Sequence, residues 1–384
     1  MRAAGLSVLG VLTCPLILVL WLLEPFKPLR FGRIIPQRIG HLAANTELFL
    51  RRLQLGRLPQ AAYLLFASGP VANSTLLSLF ARKIPVEQGW PARVFTACEP
   101  WLKHSRFGAQ LPFESNEYAL FDDGRSSLSF TPEEEARGKA ELRKMGLGPE
   151  DWFVCFHARE SAYLNKSLPG DWRYHDYRDC SVANFLPAAE YVAGRGGFAL
   201  RMGSAVAEPL PRTGPRLIDY ASRHRSEFMD VYLAAKCRFF IGSDTGLTQV
   251  ATIFDRPVVN TNVPIVDWAS FRRADLFIQK KLRDAAGRAL SYEEILERGY
   301  ARFYDSAFLR ERGLTLEENS PEEILDAVRE MHERLTGAWK AEPGDDGLQT
   351  RYQALFGPGR HCHGFRARIG AAFLRARMTQ GARP

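Results

Sequence analysis

Between residues 152 and 260 the chain repeats one pattern: a short run of consecutive apolar residues, then a longer stretch of helical character. The runs 152–158 (WFVCFHA), 198–202, 238–241 and 257–260 predict strands; 184–193, 227–236 and 247–254 predict helices, with a Gly-rich turn at 194–197. A strand that is apolar along its whole length, rather than at every second residue, is buried on both faces. Strands of that kind separated by helices build a parallel sheet covered on both sides. This pattern sets the fold class as α/β.

The flanks carry weaker versions of the same signals. Residues 38–53 (RIGHLAANTELFLRRL) predict a helix with Leu42, Leu48 and Leu53 apolar, and 62–66 a strand. Residues 70–130 mix short apolar runs with Pro and Gly and read as the rest of a first α/β domain. Thr131-Pro132-Glu133-Glu134 is a capping box with proline at the first helical position, and the helix it opens runs to about Met145, where Gly146 ends it. Ser291 with Glu294, and Ser320-Pro321-Glu322-Glu323, open two later helices in the same way. No internal repeat is found.

The 384 residues are 46% apolar, which excludes a disordered chain, and the length suits two domains. Lys and Arg outnumber Asp and Glu by 51 to 43, but the excess sits at the ends: +6 over residues 1–57 and +7 from residue 347 on, against −5 between them. A nucleic-acid-binding domain carries its basic residues on its own folded face, so no nucleic-acid partner is expected. At the N-terminus no charge falls between Ala3 and Leu23, and residues 6–23 (LSVLGVLTCPLILVLWLL) have about the length needed to enter or cross a bilayer. Only Arg2 precedes the run and no A-x-A site follows it, so a membrane anchor is preferred to a cleaved signal peptide. Trp21, Lys27, Arg30 and Arg33 form an interfacial collar, and the basic side puts the body at the cytoplasmic face of the inner membrane. Cys14, Cys98, Cys155, Cys180, Cys237 and Cys362 are scattered and read as reduced thiols; His361-Cys362-His363 has the wrong spacing to close on one ion. In the basic tail Phe365, Ile369 and Phe373 recur at helical spacing, predicting a helix that packs on the N-terminal domain or lies on anionic lipid.

Ligands of open parallel sheets bind at the carboxyl ends of the strands. Three such ends are polar here: His157-Ala158-Arg159-Glu160, Arg201-Met202-Gly203 and Gly242-Ser243-Asp244-Thr245-Gly246. Two arginines at neighbouring strand ends grip a diphosphate, and a loop of small residues at a helix N-terminus offers backbone N–H groups to an anion. Taken singly, His157 reads as a structural histidine, Arg201 as an ion pair and Asp244 as a helix cap; their coincidence on one sheet favours a nucleotide-diphosphate pocket. The loop 171–179 (DWRYHDYRD) and Asp219-Tyr220 are further candidates for lining it. The Gly194–Gly197 cluster follows a helix instead of a strand, which excludes a dinucleotide fingerprint. The chain has no D-x-D, no P-loop and no H-E-x-x-H, so neither metal nor cofactor is expected.

The segments FHARESAY, DYRDCSVANF, LRMG, IDYASRHRSEFMDVYLAAKCRFFIGSDTGL and RPVVNTN, with RIGHLAANTEL before them and ENSPEEI after, resemble a family of bacterial glycosyltransferases encoded with surface-polysaccharide genes, over residues 38–335. More distantly, the loop after FFIG resembles the donor-phosphate loop of heptosyltransferases, and H-x-R after a strand resembles protein O-fucosyltransferases. The resemblance implies a metal-independent GT-B enzyme of two Rossmann-like domains moving a sugar from a nucleotide donor to a lipid-linked or polysaccharide acceptor. The expected division is an anchor and collar over 1–30, an acceptor-side domain over 31–145, a donor domain over 146–335 and a helical tail over 336–384. Donor binding falls on His157, Arg159, Arg178, Arg201, Gly203, Asp219, Tyr220, Ser243, Asp244, Thr245 and Gly246, and the acceptor's general base on Glu47 or His41. Two other readings stand beside it. One is an α/β hydrolase with Asp244 as nucleophile on an elbow-like turn and His332 as its base; the other is a non-catalytic sugar-nucleotide scaffold.

Overall fold

The structure is a computed structural model that describes residues 17–380 except 112–116, 118, 161–172, 205, 207, 244 and 271. It divides into two compact units, Met1–Thr131 and Pro132–Pro384.

The first unit is built on a four-stranded parallel sheet of β1 (Leu29–Ile34), β2 (Ala62–Ala67), β3 (Val86–Glu87) and β4 (Gly108–Ala109), in the order β3-β2-β1-β4. Alternate residues of a strand face opposite sides. Tyr63 meets Phe49 of the helix Ile39–Gln54 on one side, with the helix Ser74–Ala81 beside it. On the other side Leu29, Phe31, Leu64 and Phe66 pack with Ala92, Phe95, Cys98 and Leu102 of the helix Gly89–Leu102. Ile17 and Leu20, from a helix over 17–23, join this second cluster.

The end of the expected anchor therefore packs partly on protein. Among the described residues no helix is long and apolar enough to cross a membrane, and residues 1–16 lie outside them.

The second unit carries a seven-stranded, wholly parallel sheet. Its strands are β5 (Phe153–His157), β6 (Phe198–Arg201), β7 (Leu217–Ile218), β8 (Phe240–Gly242), β9 (Val258–Val263), β10 (Leu276–Gln279) and, after the antiparallel pair β11 (Lys281–Arg283) and β12 (Thr315–Glu317), β13 (Arg368–Ile369). The order is β13-β10-β9-β8-β5-β6-β7. The predicted strands are all present, and β9 is buried from end to end, its polar middle Asn260-Thr261-Asn262 included. From β5 the chain steps to β6 and β7, then returns to lay β8 on the other side of β5 and continues to β9 and β10. Crossovers between parallel strands are right-handed almost without exception, so steps in opposite directions put helices on both faces. Leu186–Gly194 packs with Pro321–Thr336, and Glu227–Lys236 packs with Gly246–Ile253 and Pro132–Lys144.

Two boundaries differ from expectation. The helix Pro132–Lys144 belongs to the second unit: Glu135 bonds Tyr232 and Lys236, and Gly138 lies so close to the Tyr232 ring that an added Cβ would sit 2.2 Å from Cζ. Gly146 ends this helix as predicted, in the left-handed region at φ 87°. The C-terminal stretch is not one helical tail. It folds as a helix Asp345–Ala354, the edge strand β13 and a helix Ala371–Gln380, so Phe365, Ile369 and Phe373 fall on a turn, a strand and a helix. Phe373 and Leu374 are buried, and this last helix packs on Pro321–Thr336 and Asp345–Ala354 of its own unit. Two of the stretch's arginines are paired with acids of the same unit: Arg368 with Asp346, and Arg375 with Glu342 and Asp345. Those acids stand just before residue 347, where a count by segment cuts them off from their partners.

Candidate functional site

The reversal of strand order between β5 and β8 is a topological switch point, where the chain diverges above the carboxyl edge of the sheet and leaves a crevice. The two loops that flank it are tied together: the Arg159 N–H donates to Ser243 Oγ at 2.9 Å, and the Ser243 N–H to the His157 carbonyl at 3.2 Å. Cys180 N–H closes the third side on the Arg159 carbonyl, 3.0 Å away.

Three cations gather along this edge. Arg201, at the end of β6, is 2% exposed; it donates to Glu160 Oε1 (2.9 Å) and the Glu208 carbonyl (2.6 Å) and lies 3.7 Å from Asp219 Oδ2. Arg159 donates to Asp179 Oδ1 at 2.6 Å. Lys280, the first residue after β10, donates to the Asp179 carbonyl at 2.5 Å and is pulled below the ordinary lysine range, chiefly by burial. Lys280 was not singled out from sequence, although a basic residue directly after an apolar strand carries the same signal that marked Arg159 and Arg201. The sequence also gave no sign that both guanidiniums are held by acids on the surrounding loops. Asp219, expected to line the cleft, is 1% exposed and serves Arg201 and the Leu210 N–H.

His157 ends β5 with its Nδ1 buried and without a hydrogen-bond partner among the described residues. Burial first, then the positive charges of Arg201 and Arg159, pull its pKa from 6.5 down to about 4, so the imidazole is neutral at neutral pH. Gly203, with φ 152°, passes close over it: an added Cβ would stand 3.7 Å from His157 Cδ2 and 2.9 Å from Val206. Thr245 sits at the N-cap of the helix Gly246–Ile253 without a side-chain cap bond, and its Oγ1 is buried and unpartnered among the described residues. Asp244 lies outside the described residues. Arg178 ends the short 3-10 helix Arg173–Arg178, next to Asp179.

Other expectations need correction. Tyr220 is a core residue, 0% exposed, with its hydroxyl on Asp230 Oδ1 at 2.8 Å. Glu47 is 0% exposed, and Arg51 Nε donates to its Oε1 at 2.7 Å; a carboxylate buried and occupied in this way is badly placed to take a proton from an acceptor. His41, in the first turn of the same helix, is half-buried. His332 stacks on Trp152, ring centroids 5.4 Å apart, below the start of β5. It is therefore a strand length, roughly 16 Å at 3.3 Å per residue, from the loop after β8. Asp244, the other member of the expected hydrolytic pair, lies outside the described residues.

The polar run 318–320 is architectural. Glu318 accepts from the Ser181 N–H and Asn184 side chain, and Asn319 and Asn262 exchange backbone and side-chain bonds at 2.6 and 2.8 Å. His361 and Cys362 donate their N–H groups to Asp267. Among the described residues no cluster of three or more His, Cys, Asp or Glu has the arrangement of a metal site.

No known family profile and no curated protein sequence matches the chain. Several solved structures are similar. A glycosyl transferase of family 9 from Veillonella parvula aligns over 81% of this chain and 98% of its own at 12% identity and a TM-score of 0.45. The ADP-heptose lipopolysaccharide heptosyltransferase II of Escherichia coli covers 60% and 84% at 17% identity and 0.37. The iron-containing dodecameric glycosyltransferase TibC of enterotoxigenic E. coli covers 80% and 77% at 11% identity and 0.42.

Proposed function

We propose that the chain is a metal-independent glycosyltransferase of GT-B type, passing a sugar from a nucleotide-diphosphate donor to a lipid-linked or polysaccharide acceptor of bacterial surface-polysaccharide synthesis at the cytoplasmic face of the membrane. One observation carries the reading: a switch point in a parallel sheet, with Arg159, Arg201 and Lys280 at the carboxyl ends of its strands and Ser243 and Thr245 just before the helix Gly246–Ile253. A departing nucleoside diphosphate gains negative charge as the glycosidic bond breaks. Preorganised cations and helix N–H groups at that point stabilise the charge without a metal ion. His157, neutral beside two arginines, donates or accepts a hydrogen bond without adding repulsion. The acceptor's base is assigned to His41, because Glu47 is committed to Arg51.

Thermal-shift titration with a panel of nucleotide sugars, followed by turnover with membrane extract, tests this reading, since a ligand that binds only the folded state raises its melting temperature. One donor class is expected to stabilise the protein, and Arg201→Ala to abolish that shift. If no donor shifts melting and Arg201→Ala leaves cellular polysaccharide unchanged, the proposal fails. Binding without turnover in the presence of acceptor identifies a scaffold instead.

A further inference from the structure

A surface helix of a soluble domain keeps one apolar stripe for the core and turns polar residues outward. The helix Gly89–Leu102 has two apolar stripes. Ala92, Phe95, Cys98 and Leu102 face the core of the first unit. At 100° per residue, Trp90, Val94 and Trp101 fall within roughly 40° of one another on a flank about 115° round from the first stripe, with Trp90 76% exposed and Val94 54%. The neighbouring helix over 17–23 repeats the arrangement: Ile17 and Leu20 enter the same core cluster, while Leu18, Trp21 and Leu22 point outward, followed by Phe26 at 87% exposure. This is more exposed large apolar surface than the rest of the protein carries among the described residues.

We infer that this face of the first unit lies on an anionic phospholipid bilayer, an assignment that deepens the lipid-side part of the proposed function and rests on it only for the identity of the acceptor. The charges select the occupant. Lys27, Arg93 and Lys103 are exposed around the apolar stripes. The nearby acids Glu24 and Glu99 are taken up by Arg30 at 2.7 Å and Arg33 at 2.9 Å, leaving Glu87 as the exposed acid close in sequence. Tryptophan beside lysine and arginine is the composition that settles at a headgroup boundary, with rings in the acyl region and cations on anionic headgroups. A second copy of this chain is disfavoured as occupant, because pairing like faces would oppose two cationic rims.

The test uses the full chain on phosphatidylcholine vesicles with and without phosphatidylglycerol, doped with a lipid bearing a photoactivatable acyl chain, and maps the adducts by mass spectrometry. Adducts are expected on peptides covering 17–27 and 89–106, several-fold fewer without phosphatidylglycerol, and several-fold fewer at 89–106 in the Trp90→Ser/Val94→Ser variant. Adducts confined to residues before 17, or unchanged yields in the variant, overturn the inference. So does a dimer that buries Trp90 in the absence of lipid. Thermal melting controls for folding of the variant. Donor binding, measured separately on the same samples, fails alone if the enzymatic reading is wrong while the lipid contact is right.

Discussion

Each unit holds a buried arginine on a carboxylate, and the two are built differently. Arg51 and Glu47 are one helical turn apart in the first unit, with side chains 1% and 0% exposed; Arg51 also donates to the Phe121 carbonyl and lies over the Phe121 ring. Arg201 in the second unit is as deeply buried, at 2%, but one of its carboxylates, Glu160, is 22% exposed, and Arg159 is held by Asp179 at 24%. The first pair is fully buried and joins successive turns of one helix. The second set is anchored from below and open through its acids toward the carboxyl edge, where an incoming anion can join or replace them.

The sharpest test is to break the closed pair. Arg51→Met removes the cation that Glu47 faces in the interior, and should destabilise the protein by about 3–5 kcal/mol, read by chemical denaturation. Donor binding by the remaining folded protein should be unchanged. If Glu47→Gln instead abolishes turnover without affecting stability, Glu47 is a catalytic base after all and the contrast between the two pairs collapses.

Acid should next separate the open site from the rest. His157 has a folded pKa of about 4 against 6.5 in an ordinary setting, so between these values the unfolded chain takes up a proton that the folded chain refuses. Stability therefore falls as pH is lowered through that window, by about 3 kcal/mol in total for a shift of this size, and the effect vanishes above it. Asp230 works in the opposite direction: burial raises it from 3.8 to about 6, so its folded form binds the extra proton and stability falls as pH rises through that range. The two offset each other in the native protein. His157→Gln removes one of them, so it should lose less stability than the native chain between pH 7 and 4.5; parallel pH profiles would show that His157 is not held neutral.

The strands of the second sheet could be read from sequence because strands buried on both faces leave long apolar runs, and both later capping boxes close as predicted, at Ser291 and Ser320. The ends of the strands gave the site for the same reason: a charged residue after an apolar run has few places to go except the sheet edge. Sequence could not tell an arginine facing a ligand from one already facing an acid, since Glu160, Asp179 and Asp219 reach Arg159 and Arg201 only through loops folded back over the edge. Nor did it separate Glu47 from a catalytic residue, because a carboxylate four residues before an arginine looks alike on a solvated or a sealed helix face. The apolar spacing of Phe365, Ile369 and Phe373 was a coincidence, broken by the pairing of Ile369 with Phe277 in β13 before the helix starts at Ala371.

Within the open set, the depth of each arginine's anchoring predicts a gradient. Arg201→Gln removes a charge-assisted contact of about 1.5–3 kcal/mol, which weakens nucleoside-diphosphate binding by roughly ten- to a hundredfold. It also leaves Asp219 short of its cation, so its melting temperature should fall as well.

Lys280 gives the smallest and most discriminating effect. Its ammonium rests on a main-chain carbonyl and burial lowers its pKa, whereas the two guanidiniums are paired with carboxylates. Lys280→Met keeps the stem's packing and removes the charge, and should weaken diphosphate binding about tenfold, roughly 1.4 kcal/mol. Because the ammonium donates to a main-chain carbonyl, whereas Arg201 lies against the buried Asp219, stability should hold or rise. Isothermal titration with a nucleoside diphosphate, alongside denaturation of the same sample, separates the outcomes. Loss of affinity with stability intact places Lys280 in the anion site, whereas loss of stability with affinity intact makes it a strut for the Asp179 loop and leaves the two arginines as the site's working charge.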